Sequence, residues 1–183
     1  GLTKVICTNL AIVTEDILEF CKVHKILIST SLDGPQYVHD KNRHKPNSSS
    51  YELAVKGIEL SRKILGHDQV SALMTTTKLS LDYPIEIVDE YFNLGFQGIF
   101  LRNISPYGFA LRTDKSKYET AKFLSFYKKA LDRILEYNFN GHYFTEDLAR
   151  IFLTKILTPF NVGFVDLQSP AGLINGVIVF NYD

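Results

Sequence analysis

Short apolar runs rich in β-branched residues alternate with amphipathic stretches along most of this chain. Each run is followed by a segment whose apolar positions recur every three or four residues, the period of an α-helix. Parallel strands need such crossovers, so the pattern predicts an α/β protein built on a parallel sheet. Periodicity leaves open whether that sheet is an open, doubly wound one or an arc of a barrel. The four predicted strands are 5–7, 25–31, 70–76 and 98–101.

Helix boundaries are marked by side chains that cap free backbone amides. The predicted N-terminal caps are Thr14, Ser49, Ser116 and Thr145. Pro84 opens a further helix, because proline is tolerated in a first helical turn. Between Leu32 and Ser50 the prolines, Gly34 and three serines predict a long loop. The glycine-rich last thirty residues predict a short β-hairpin or irregular β segment.

Composition narrows the class of protein. The 183 residues carry 20 basic and 20 acidic side chains, and this zero net charge argues against nucleic acid as the main partner. No apolar run reaches 18 residues, so we expect no membrane span. Two cysteines are too few for a disulfide framework and favour a reducing, cytoplasmic location. Cys21 belongs to an apolar helix stripe, whereas Cys7 fits core and cavity wall equally well. The five histidines show no metal-ligand spacing on a helix.

In parallel α/β folds ligands bind beyond the carboxyl ends of the strands. The most distinctive strand end is Ser31-Leu32-Asp33-Gly34-Pro35, followed by His39-Asp40-Lys41-Asn42-Arg43. Taken alone, this stretch is a turn with local caps and one basic side chain.

Together with Thr8-Asn9 upstream and the capped helix downstream, the stretch resembles the central part of radical S-adenosylmethionine (radical SAM) enzymes. Within these it is similar to SPASM-type maturases, which include the anaerobic sulfatase-maturating enzymes once labelled arylsulfatase regulators. The run 166–172 and the closing Phe180-Asn181-Tyr182-Asp183 are most similar to a maturase of the His-Xaa-Ser peptide system. The resemblance spans essentially the whole chain.

The resemblance implies an internal fragment of a partial TIM-type (βα) barrel, from its third strand onward. Residues 1–160 would belong to the barrel, and 161–183 would begin a SPASM-like extension. Ser31 and Arg43 would hold the methionyl carboxylate of SAM, with Asn9 nearby. Asp33 is expected to organise its own turn rather than contact the ligand. Thr76 and Arg102 are further candidates for the cavity wall, because they stand at strand ends.

Radical SAM chemistry also needs a [4Fe–4S] cluster held by a Cys-x3-Cys-x2-Cys motif, which this chain does not contain. The family carries that motif after the first strand, so the cluster ligands are expected outside this chain. Cysteines of auxiliary clusters are missing as well, and Cys7 stands where the family often has glutamine. We therefore expect no metal site in these residues and no activity of the isolated chain.

The parent protein is accordingly expected to cleave SAM reductively, with an external reductant, and to modify a peptide or protein substrate, as in sulfatase or ribosomal peptide maturation. The alternative from another class is a non-catalytic α/β barrel module for binding or scaffolding. A barrel hydrolase or aldolase is a third possibility, but no strand end pairs a nucleophile with a base.

Overall fold

The computed structural model describes residues 3–103, 118–160 and 162. The chain divides into two compact units, residues 1–146 and 147–183, and each is described by itself. The fold is mixed α/β, as the hydrophobic pattern predicts. No helix in the described residues is both long and apolar enough to cross a membrane.

Three parallel strands form the main sheet of the first unit. They are β1 (Lys4–Thr8), β2 (Ile26–Ser31) and β3 (Val70–Leu73), in the order β1-β2-β3. β2 is the central strand, which explains its aliphatic, β-branched sequence. Its last residue, Ser31, pairs with Leu73 of β3. β4 (Gly98–Ile99) and β5 (Thr145–Glu146) form a second, two-stranded parallel sheet.

The helices follow the strands as the spacing predicts, and one short helix is present that the sequence does not predict. Their bounds are α1 (Glu15–Val23), α2 (Gln36–Asn42), α3 (Ser50–Leu65), α4 (Pro84–Asn93), α5 (Thr120–Phe139) and, in the second unit, α6 (Asp147–Leu157). Short 3-10 turns lie at 67–69 and 80–82. The predicted caps Thr14 and Ser49 are confirmed, because their hydroxyls accept the backbone N–H of Ile17 and Glu52.

Four predicted boundaries are wrong. The stretch 32–50 is not one long loop, since α2 lies inside it. The third strand stops at Leu73 rather than Thr76, and the fourth stops at Ile99 rather than Leu101. Thr145 pairs with Gly98 in β5 instead of capping α6.

Other predictions fall on residues that the structure does not describe. Ser116 lies outside the described residues, and α5 begins after Glu119. The β-hairpin and the extension predicted for 161–183 also lie outside them, except for Val162.

The core of the first unit packs α4 against the strands and fixes the loop after β2. Ile87, Val88 and Tyr91 of α4 are fully buried. The Tyr91 hydroxyl donates a hydrogen bond of 2.6 Å to the carbonyl oxygen of Leu32. Gly34 has a φ of +118°, and a Cβ built there would lie 2.6 Å from Cγ1 of Ile87. Only glycine fits this turn, which directs the chain from β2 into α2.

Candidate functional site

A cavity of about 310 Å³ lies beyond the carboxyl ends of β1 and β2, at the lower end of the range for small-molecule sites. Its polar lining comes from the loop after β1, the end of β2, α2 and the following loop, and the start of α3. The lining residues that matter here are Asn9, Ser31, His39, Arg43, Lys45 and Ser50. The structure therefore brings together the three main sequence-predicted residues, Asn9, Ser31 and Arg43.

Asn9 is held in a tight turn at the end of β1. Its side-chain oxygen accepts the Ala11 backbone N–H at 3.1 Å, and the Thr8 hydroxyl accepts that of Leu10. Leu10 has a left-handed φ of +56°. The Ala11 bond uses one of the two acceptor sites of the Asn9 amide oxygen, and the amide NH₂ makes no hydrogen bond within the described residues.

Ser31 is the last residue of β2 and is half-buried. Its backbone belongs to the parallel ladder, whereas its hydroxyl makes no hydrogen bond within the described residues. The side chain lines the cavity. It can thus both donate to and accept from a bound molecule.

Arg43 and Asp33 form a two-pronged ion pair beside the cavity. Nε of Arg43 donates to Oδ2 of Asp33 at 2.9 Å, and Nη2 donates to Oδ1 at 3.1 Å. The Asp33 side chain is 1% exposed and that of Arg43 33%. Asp33 also accepts the Thr75 backbone N–H at 2.8 Å, and Nη2 of Arg43 reaches the Thr75 hydroxyl.

The ion pair with Asp33 determines which guanidinium nitrogen of Arg43 can bind a ligand. Its Nε and Nη2 atoms are engaged by Asp33, which leaves Nη1 without a hydrogen-bond partner in the described residues. Asp33 was expected to organise its own turn, but its carboxylate instead fixes the Arg43 guanidinium and the loop after β3. It does not itself line the cavity.

A second carboxylate, Asp40 of α2, anchors the loop that closes the site. It accepts hydrogen bonds from the hydroxyls of Ser49 and Ser50 and from the Tyr51 backbone N–H. Burial tends to raise the pKa of Asp40, but the three hydrogen bonds outweigh it and leave the pKa below its usual value. These bonds link α2 directly to the start of α3, and they therefore fix the two ends of the loop between the helices.

Thr76 and Arg102, the two weaker candidates, lie together but not in this cavity. The buried Thr76 hydroxyl donates to the Arg102 carbonyl oxygen at 2.8 Å, which links the ends of β3 and β4. The Arg102 guanidinium lies 5.7 Å from the centre of the Phe100 ring.

His39 was missed by the sequence analysis although it lines the cavity and is 2% exposed. The signal was its spacing: His39 and Arg43 are four residues apart, which is one helical turn. Since the sequence predicts a loop over these residues, the helical spacing did not indicate that His39 and Arg43 share one face.

The two cysteines differ in exposure. Cys21 is buried as predicted, and Cys7 is exposed on β1, so it belongs to neither core nor cavity wall. Among the described residues, no group of three or more His, Cys, Asp or Glu side chains is arranged to bind a metal ion.

Comparisons with known proteins identify the fold. Solved structures of anSMEcpe, an anaerobic sulfatase-maturating enzyme, share it. One of these, with bound AdoMet (S-adenosylmethionine), superposes with a TM-score of 0.71 at 18% identity and covers 85% of this chain. A second, with AdoMet and a Cp18Cys peptide, gives 0.74 at 19% identity. The chain spans 43% of the length of these neighbours.

Comparisons of sequence alone match a smaller part of the chain. No family model matches the chain. An uncharacterized protein, sll1766 of Synechocystis sp., is 37% identical over 68 residues, which is 36% of this chain and 16% of that protein.

Proposed function

We propose that this chain is the SAM-binding part of a radical SAM enzyme that modifies a peptide or protein. The observation that carries the proposal is the convergence of Asn9, Ser31 and Arg43 on one cavity at the carboxyl end of a parallel sheet. The fold shared with AdoMet-bound anSMEcpe supports it. In this proposal the two small sheets are parts of one partial barrel, which further strands of the parent protein extend.

The donors around the cavity suit the methionyl carboxylate of SAM. Nη1 of Arg43 and the hydroxyl of Ser31 are both available, and a charge-assisted bond from a guanidinium is among the stronger hydrogen bonds in proteins. Since Asp33 holds the other edge of Arg43, the guanidinium is oriented before a ligand arrives. Asn9 adds an amide donor from the neighbouring strand end.

The residues present do not fit the iron–sulfur cluster. Its three thiolate ligands need three cysteines, and the chain has two, one of them buried in the core. The proposal therefore assigns cluster binding, and the electron that cleaves SAM, to parts of the parent protein outside this chain. The isolated chain is accordingly proposed to be inactive.

A peptide substrate is the second part of the proposal. It is supported by the neighbour that was solved with a peptide bound. The narrower assignment, to sulfatase or ribosomal peptide maturation and within it to a His-Xaa-Ser system, rests on the sequence motifs.

Calorimetric titration of SAM into the full-length, anaerobically reconstituted protein tests the proposal. Arg43→Ala should weaken binding by about 2 kcal/mol, the low end for truncating a buried charged partner, because Asp33 already neutralises part of the charge. Ser31→Ala, which breaks no hydrogen bond in the described residues, should weaken it by about 1 kcal/mol.

The matched control is Arg133→Ala. Arg133 also forms a two-pronged pair with an aspartate, Asp89, and its side chain is similarly exposed at 28%, but it does not line the cavity. SAM affinity should not change in this variant. A wild-type protein that binds no SAM would instead favour the non-catalytic scaffold.

A further inference from the structure

His39 presents an unused hydrogen-bond donor to the cavity. Its Nδ1 accepts the Asp33 backbone N–H at 3.1 Å, so Nδ1 carries no proton. The proton of a neutral imidazole then resides on Nε2. That Nε2–H makes no hydrogen bond within the described residues, although the ring is 2% exposed and lines the cavity. Nε2 is not one of the fully buried polar atoms that lack a partner, so it is open to the cavity, where the acceptor of a ligand can reach it.

The surroundings keep this imidazole neutral. Burial lowers the pKa of His39, and the Arg43 charge acts in the same direction, while Asp33 and Asp40 oppose it. His39 therefore serves as a donor through Nε2 without adding a charge, and its Nδ1 stays available to Asp33.

The lining favours an anionic ligand group next to His39. Arg43, His44 and Lys45 all line the cavity, and no aspartate or glutamate does so among the described residues. A carboxylate there meets donors from several directions, and none of the side chains that line the cavity is acidic.

We propose that His39 is a further ligand-binding residue whose Nε2–H donates a hydrogen bond to the carboxylate of bound SAM. This inference rests on the proposed function, because it names a contact within the same site. His39 thereby joins the turn after β2, through Asp33, to the ligand.

Two substitutions separate this role from a structural one. In His39→Asn the side-chain oxygen replaces Nδ1 as acceptor for Asp33, but the distal donor is lost. In His39→Gln the amide nitrogen reaches the position of Nε2, but the acceptor for Asp33 is lost. Ligand binding predicts that Asn weakens SAM affinity about tenfold or more and that Gln is closer to wild type. A purely structural role predicts the reverse order.

Titration of the full-length protein with SAM and with decarboxylated SAM locates the contact. His39→Asn should weaken SAM binding but leave the affinity for decarboxylated SAM at the wild-type value. The control is His24→Asn, which replaces an exposed histidine that packs against the Phe20 ring and should change neither affinity. Equal loss for both ligands, or no loss for SAM, overturns the assignment of His39 and leaves the SAM site standing.

Nitrogen NMR of the imidazole requires no variant and decides the matter even if both substitutions prevent folding. We expect a neutral Nε2–H tautomer for His39 in the free protein and a shift of the Nε2 resonance when SAM, but not decarboxylated SAM, is added. An Nε2 signal unmoved by SAM that does bind refutes the contact. If the wild-type protein binds no SAM at all, the proposed function falls and this inference falls with it.

Discussion

The carboxyl ends of β1 and β2 differ from those of β3, β4 and β5. At the first, donors of Asn9, Ser31 and His39 face a cavity without bonding to each other. At the second, polar groups bond to their neighbours: Thr76 donates to the Arg102 carbonyl, and buried Glu146 accepts hydrogen bonds from the Leu101 backbone N–H and the Tyr127 hydroxyl.

The difference separates two uses of polar residues. Where polar groups hydrogen-bond to one another, they join secondary-structure elements and add stability. Where a rigid frame holds donors that face an open cavity, these donors remain available to bond to a ligand. Asp33 and Asp40 build that frame around the cavity.

The largest expected effect comes from removing the frame. Asp33→Ala should lower the free energy of unfolding by about 3 kcal/mol, the low end for breaking a buried ion pair, because Arg43 stays partly exposed. Urea denaturation measures it. The control Glu19→Ala removes only an exposed pair with Lys22 and should cost below about 1 kcal/mol. Equal losses would show that Asp33 does not hold the site.

A crowded helix contact tests how the β1 end is held. A Cβ on Gly57 of α3 would lie 2.5 Å from the Cβ of Leu10, next to Asn9. Gly57→Ala should cost about 2 kcal/mol through overpacking and should also weaken SAM binding, since the Asn9 turn must move. Glu59→Ala, at an exposed position of the same helix, is the control. Wild-type stability in Gly57→Ala would mean that α3 packs more loosely here.

A substitution at the carboxyl ends of β4 and β5 should change the stability of the protein but not its affinity for SAM. Glu146→Gln keeps the shape but weakens the acceptors for Leu101 and Tyr127, so we expect a loss of about 1 kcal/mol. SAM affinity, measured in the same preparation, should remain that of the wild type. A clear loss of affinity would extend the site to the ends of β4 and β5.

The smallest effect is a pH dependence. Burial, the largest cause, places the pKa of His39 below its ordinary value of 6.5. The unfolded chain then takes up this proton first as pH falls, so the free energy of unfolding should decrease below about pH 6.5. His39→Asn should remove that part of the slope in denaturation curves recorded between pH 7.5 and 5. Identical slopes in both proteins would assign the effect elsewhere.

Particular residues show how far the sequence predicts this molecule. Thr14 and Ser49 act as the predicted caps, and the predicted strand 25–31 corresponds to β2. The placement of Asn9 and Ser31 at one edge of the sheet followed from the rule that parallel strands end at one edge, whereas Arg43 was included because of the resemblance to radical SAM enzymes. The caps and the strand ends depend on local spacing.

The features that the sequence does not predict depend on contacts between residues that are distant in sequence. α2 has seven residues behind Pro35 and no side-chain cap, so propensity alone does not mark it. The partner of Arg43 depends on the turn at Gly34, which Ile87 of α4 confines. Thr76 lies three residues beyond the end of β3, and its hydroxyl donates to the carbonyl oxygen of Arg102 in the loop after β4, a contact that no local pattern predicts.

The most direct test of the account is a crystal structure of the full-length protein, prepared anaerobically with SAM. We expect the SAM carboxylate within hydrogen-bonding distance of Nη1 of Arg43 and the hydroxyl of Ser31, with the Arg43–Asp33 pair intact. SAM bound at the ends of β3 to β5, or bound with Arg43 and Ser31 both out of reach, would contradict it.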